Sequence, residues 1–364
     1  GGTATIVFNG TGAQTITGTT TADGRVPFPN VTINKPSGTL TFVDNISVSG
    51  NWTNTAGTIA PGTSTVVFGG TINMDPGTTS CFNNLIVNSG TTTLTNALNA
   101  TNLAGNLTVV GGTLNNGELA ITGNAGATFQ VNNGTTFVLT GTSAMPTGFG
   151  TTTLQATSTV NFNGSGAQTI PAMNFGNLTS SSTGTRTLAS AGTIGIAGTF
   201  TPGTNVYTIT GSTADFNGGA EQTIPAFNYN NLTSSSTGTR TLASAGTIGI
   251  AGTFTPGTNV YTITGSTVNF NGTAAQTIAN DFTFNNFSLN NASGLSLGAN
   301  VNLNGILTLS SGTFTTTGYN FTLISNGSGT ASIAAIPAAG ADIAGNIIMQ
   351  RYTGTGPTGW RLLS

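Results

Sequence analysis

The sequence predicts an all-β fold, a parallel β-solenoid of about 18 residues per coil with a short divergent C-terminal segment. Three observations predict it. Residues 177 to 213 recur letter for letter at 231 to 267, a step of 54 residues. Apolar residues alternate in short runs punctuated by Gly, Asn, Ser and Pro, which is the period-two signature of half-buried strands between tight turns. Charge is scarce, with six basic and eight acidic residues and no histidine in 364.

Duplication of this kind is typical of units that stack on their neighbours, whereas a catalytic centre is normally one unique constellation. One cassette, Phe-Asn-Gly followed by Ala/Glu-Gln-Thr-Ile, occupies Phe8 to Ile16, Phe162 to Ile170, Phe216 to Ile224 and Phe270 to Ile278. A second, aromatic-x-Asn-apolar, occupies Phe28 to Val31, Phe82 to Leu85, Phe175 to Leu178, Tyr229 to Leu232 and Phe284 to Phe287. A third, apolar-x-apolar-x-Gly, occupies Ile46 to Gly50, Ile194 to Gly198, Ile248 to Gly252 and Val301 to Gly305. Within them Val160 with Phe162, Ile194 with Ile196, Tyr207 with Ile209 and Val301 with Leu303 share one strand face.

Helix is disfavoured because Glu, Lys and Arg are sparse and Gly is frequent. A 54-residue period is short for a sandwich domain of about 100 residues and divides into three coils of about 18. Strands spaced by about 4.8 Å then give about 20 coils and a length on the order of 100 Å. Stacking also accounts for the composition: like charges above one another repel, while Thr, Ser and Asn form hydrogen-bonded ladders and Phe or Ile stack. Gly and Asn supply positive-φ corners.

Residues 1–333 read as the solenoid, with degenerate coils between 68 and 162. Residues 334–364 read as a divergent segment leading to a further region, with Ile347 to Tyr352 as a strand leaving the array. Gly1-Gly2-Thr3 lacks the charged start of a signal peptide, and Trp360-Arg361-Leu362-Leu363-Ser364 stops abruptly, so the chain reads as a piece of a longer polypeptide. No apolar run approaches the ~20 residues of a membrane-spanning helix, and no basic cluster offers a nucleic-acid footprint.

The cassettes resemble the repeat regions of large secreted surface proteins of Bacteroidota, exported by the type IX route and including gliding-motility adhesins. In such proteins a solenoid precedes a segment like Gln350-Arg351-Tyr352 and Gly359 to Ser364. The resemblance implies a parallel β-helix at the extracellular bacterial cell surface. The implied partners are surfaces or surface polysaccharides held by weak multivalent contact, other segments of the same polypeptide, and the secretion or gliding machinery.

The residues themselves point to a non-enzymatic structural or adhesive role, with no catalytic, cofactor-binding or metal-binding residue assigned. The carboxylates are Asp23, Asp44, Asp75, Glu118, Asp215, Glu221, Asp281 and Asp342. Only Asp215 and Glu221 tempt as an acid/base pair, yet their counterparts are Asn161 and Ala167 in one copy and Asn269 and Ala275 in another. Arg186 and Arg240 are equivalent positions, readable as an anion site or as solvated charges on a turn. Gln14, Gln168, Gln222 and Gln276 read as corner ties bonded to backbone, forming an internal spine. Cys81, the single cysteine, reads as a buried apolar residue, and without histidine zinc lacks a ligand set. A carbohydrate-active β-helix, a self-assembling fibre subunit and an ice-binding Thr array (Thr3-Ala4-Thr5, Thr91-Thr92-Thr93) are the alternatives.

Overall fold

A computed structural model describes residues 4–19, 27–337 and 339–353. Every regular element in it is a strand. Almost all strand pairs are parallel, and successive turns are spaced by about 21 residues, giving about 15 turns among the described residues. The fold is therefore the expected parallel β-solenoid, with a longer turn than 18 residues. The extra residues lie in the corners, where glycines such as Gly203 and Gly257 turn with φ of +64°.

The chain forms two compact units, 1–189 with 196–208, and 190–195 with 209–364. In the first unit one face is an 11-stranded sheet that begins with Thr5–Phe8 and includes Asn30–Val43, Trp52–Ala60, Thr136–Leu139, Thr159–Phe162 and Asn177–Ser180. A second face stacks Ile46–Val48, Thr65–Gly69, Asn84–Ser89, Leu107–Val109, Thr128–Val131 and Thr151–Leu154. Each turn lays its inward row on the last: Val66 pairs with Leu85, Leu85 with Leu107, and Leu107 with Phe129. All four are fully buried. Aromatic rings cluster within this interior, with Trp52 5.9 Å from Phe42, 6.0 Å from Phe68 and 5.4 Å from Phe82. The edge-on contacts with Phe42 and Phe68 add about 0.5–1.5 kcal/mol each to area burial.

The second unit shows how the sequence repeat maps onto the turns. Thr213–Phe216 pairs with Asn231–Ser234, which pairs with Phe254–Thr255. Gln222–Ile224 pairs with Arg240–Leu242, which pairs with Tyr261–Thr262. Asn228–Tyr229 pairs with Ile248–Ile250, which pairs with Thr267–Phe270. Three strands make one turn. Thr267–Phe270, the next copy of Thr213–Phe216, is therefore eight strands further along and lies in a different column. The 54-residue unit spans two and two-thirds turns, not the three expected from the sequence. Each copy begins one face away from the last.

The final described strands also differ from expectation. Ile348–Met349 does not leave the array: Ile348 pairs with Thr322 and Met349 with Leu323, while Ala341–Ala344 pairs with Gly312–Thr315. The unpaired backbone edge of the preceding turn provides the donors and acceptors that hold this segment.

Candidate functional site

The aromatic-x-Asn-apolar cassette is a corner ladder. The Oδ1 of Asn177 accepts a hydrogen bond from the Thr199 N–H at 2.9 Å, Asn231 from Thr253 at 3.0 Å, and Asn286 from Ile306 at 3.0 Å. The glycine ending the third cassette makes room for that amide, since a Cβ on Gly252 would stand 2.4 Å from Asn231 Oδ1. Two cassettes far apart in the sequence thus describe one contact between adjacent turns.

The Phe-Asn-Gly cassette builds a carbonyl cage. In the second cassette Gln168 Oε1 accepts from the Gly164 N–H at 2.9 Å, and Gln168 Nε2 donates to the carbonyls of Leu139 at 3.2 Å and Ser143 at 3.1 Å. Gln276 repeats the pattern with Gly272, Ile250 and Gly252. Gln222 accepts from the Gly218 N–H at 2.8 Å. The glutamines are the corner ties that the sequence suggested.

A cation gathers the loop carbonyls beside it. Arg186 is 0% exposed. Its Nη2 donates to the carbonyls of Phe162 at 2.8 Å, Gly164 at 2.9 Å and Ser181 at 2.7 Å. Nη1 reaches Gly166 and Thr185, and Nε donates to Ser180 Oγ at 2.8 Å. Arg240, also 0% exposed, repeats the clamp with Phe216, Gly218 and Ser235 at 2.8, 2.9 and 2.7 Å, and with Ala220 and Thr239. Both expectations for these arginines are corrected: they are neither solvated nor turned toward a ligand. Burial pulls both guanidinium groups below their ordinary pKa. The charge-assisted bonds offset a desolvation cost of several kcal/mol.

The same role falls to other residues at the first and last cassettes. Lys35, 2% exposed, donates its Nζ to the carbonyls of Gly10 at 2.7 Å and Gly12 at 2.9 Å and to Gln14 Oε1 at 2.8 Å. At the fourth cassette Leu295 pairs with Gln276 where Arg240 pairs with Gln222. There Asn291, 1% exposed, donates its Nδ2 to the Ala274 carbonyl at 2.7 Å and to Gln276 Oε1 at 3.0 Å. Lys35 and Asn291 were not singled out from sequence. The signal was a donor following each cassette's glutamine by one turn.

The tempting carboxylate pair is not assembled as an acid and a base. Asp215 Oδ1 accepts from the Ser235 N–H at 2.9 Å and Oδ2 from the Ser235 hydroxyl at 2.7 Å, whereas Glu221 Oε1 accepts from the Thr241 hydroxyl at 3.0 Å. Each is a strut to the following turn, on a separate column of strands. Cys81 is fully buried and burial pushes its thiol pKa up, the state of an inert apolar residue. Asp23, Gly1 to Thr3 and Gly359 to Ser364 lie outside the described residues. Among the described residues no helix is long and apolar enough to cross a membrane.

Two concavities open on one column of the second unit. The larger, of about 360 Å³, is lined by Asn259, Tyr261, Ile263, Asp281, Phe282, Thr283, Asn300 and Asn302. The smaller, of about 280 Å³, includes Thr317, Tyr319, Asn320, Asn346 and Ile348. The first lies where the repeat is broken. Ile224-Pro-Ala-Phe-Asn-Tyr-Asn-Asn231 becomes Ile278-Ala-Asn-Asp-Phe-Thr-Phe-Asn-Asn286, one residue longer, and brings Asp281 and Phe282. That insertion was the signal in the sequence. Comparison of the chain with protein families, characterised proteins and solved structures gives no match.

Proposed function

We propose that this chain is a non-enzymatic structural and adhesive section of an extracellular bacterial surface protein, serving as a stiff spacer and a contact surface. The observation that carries this reading is the fate of the repeated cation. Arg186 and Arg240 are the repeat's only basic residues, and both are spent on backbone carbonyls inside the turns. What the copies present outward is uncharged: Thr, Ser and Asn, with Val206 and Val260 at 71% and 72% exposure on corner loops. Contacts by such groups are individually weak, and their number supplies avidity through effective concentration. Placement among type IX-exported adhesins belongs to the same proposal, on the strength of the cassettes alone.

The test is attachment of beads carrying the chain to bare apolar, bare hydrophilic and polysaccharide-coated surfaces under flow. Retention that climbs steeply with coating density supports the reading. Retention no better than that of beads coated with an unrelated protein, or release of reducing ends from polysaccharide by the chain, overturns it.

A further inference from the structure

The two concavities share a column of strands. Phe282–Phe284 pairs with Val301–Leu303, which pairs with Phe321–Leu323, which pairs with Ile348–Met349. Along one margin runs a ladder of exposed polar side chains, one per turn. Asp281 Oδ1 accepts from the Asn300 N–H at 2.8 Å, and Asn300 Oδ1 accepts from the Asn320 N–H at 3.0 Å. The ladder uses only part of each side chain. Asp281 Oδ2, Asn300 Nδ2 and both amide atoms of Asn320 have no hydrogen bond among the described residues.

Apolar surface lies beside this row. Tyr261, Ile263 and the largely buried Phe282 line the first concavity. Tyr319, 45% exposed, and Ile348 line the second. The first also has Asn302, whose Nδ2 reaches Thr283 Oγ1 at only 3.5 Å, and Asn259, whose Nδ2 is held by the carbonyls of Ser236 and Gly238. The volume of about 360 Å³ falls at the lower end of small-ligand sites, which span ~300–1,000 Å³.

We infer that this column is a binding track for an extended neutral polysaccharide, with sugar rings seated in the two concavities and hydroxyls read by Asp281, Asn300 and Asn320. Three features select that chemistry. A sugar ring has an apolar C–H face and a rim of hydroxyls, matching aromatic surface beside free amides. Free acceptors and donors recur once per turn, about every 4.8 Å, close to the advance of an extended glycan per ring. Acidic polymers are disfavoured, because the charged side chain lining the two concavities is the Asp281 carboxylate, and Arg240, paired beside Tyr261, is buried with its Nη groups committed to carbonyls. The inference deepens the contact-surface reading above and rests on it.

The test is affinity electrophoresis of the full chain in gels containing mixed-linkage β-glucan, xylan or mannan, with polygalacturonate and alginate as acidic counterparts. Titration with the matching disaccharide and hexasaccharide follows. Retardation by at least one neutral polymer and by neither acidic one is expected, with the hexasaccharide binding about tenfold tighter than the disaccharide. Asn300→Ala and Tyr319→Ala should each weaken binding by about tenfold, while Asn161→Ala, remote in sequence and in the other unit, leaves it unchanged. Hydrogen exchange on each variant establishes that the turns remain stacked. No retardation by any neutral polymer, stronger retardation by the acidic ones, or full affinity in both folded variants overturns the inference. Bead attachment to bare surfaces that persists without any glycan binding would sink the track alone and leave the adhesive reading standing.

Discussion

Replacing Arg186 by methionine tests the carbonyl clamp most sharply. Methionine keeps an unbranched apolar stem but offers no donor, so the carbonyls of Phe162, Gly164 and Ser181 lose the Nη2 bonds of 2.7–2.9 Å; Phe162 still accepts the Ser181 N–H at 3.0 Å, while those of Gly164 and Ser181 are orphaned. Each orphaned buried acceptor costs about 1–3 kcal/mol. Against this stands the relief of desolvating the guanidinium, itself several kcal/mol. The net local loss is therefore about 3 kcal/mol. Lysine at the same place should cost within about 1 kcal/mol, because Lys35 already bonds two carbonyls and an amide oxygen in the first cassette with a single ammonium.

Stacked turns interact mainly with their neighbours, so a global melt can miss the effect. The assay is native-state hydrogen exchange followed at backbone amides between 162 and 188. Exchange in Arg186→Met should accelerate on the order of 100-fold there, with protection between 31 and 60 unchanged. Arg186→Lys should lie close to the parent. Unchanged exchange in the methionine variant, or equal damage from lysine, would refute the clamp.

Tyr261 gives a pH prediction. Burial, only partly countered by the hydrogen bond to Ser234, raises its phenol from 10.0 to about 12. A raised folded-state pKa stabilises fully below the unfolded value and is lost as pH climbs through the folded one. Stability should thus fall between about pH 10 and 12, by up to about 2 kcal/mol after allowance for partial exposure. In Tyr261→Phe, phenolate absorbance should lose a component that titrates near pH 12, and a titration identical to that of the parent would count against this. Gly252→Ala should push Asn231 off the Thr253 N–H at a cost of about 1–2 kcal/mol, read as faster exchange of the Thr253 amide, whereas unaltered exchange would show that the corner has slack. Cys81 should resist thiol reagents in the folded chain and react fully in denaturant; prompt labelling of the native protein would contradict its burial.

Much of the architecture could be read from residues. Alternation in Val160 with Phe162 and in Val301 with Leu303 identified strands, and the recurring glutamines identified corners. Turn length was harder, because 54 divides by 18 in number but not in space. Only pairings such as Gly249 with Asn269 reveal that a copy starts on a new face. Arg186 and Arg240 misled for a physical reason: an isolated cation in a polar segment is usually solvated, and nothing local reveals that a loop on the preceding turn points carbonyls at it. The track was illegible because Asp281, Asn300 and Asn320 are about 20 residues apart and meet only once register is fixed. Its one trace was the extra residue after Ile278.

Disulfide trapping of neighbouring turns interrogates the stacking itself. Under the observed register Thr233 lies beside Thr255, whereas three 18-residue coils would set it beside Ala251. With Cys81 replaced by alanine, the pair Thr233→Cys with Thr255→Cys should close a disulfide readily, since adjacent parallel strands sit ~4.8 Å apart, within the roughly 4.4–6.8 Å Cα range of such bonds. Thr233→Cys with Ala251→Cys should stay reduced. Closure of the second pair in preference to the first would contradict the two-and-two-thirds-turn register and everything built on it.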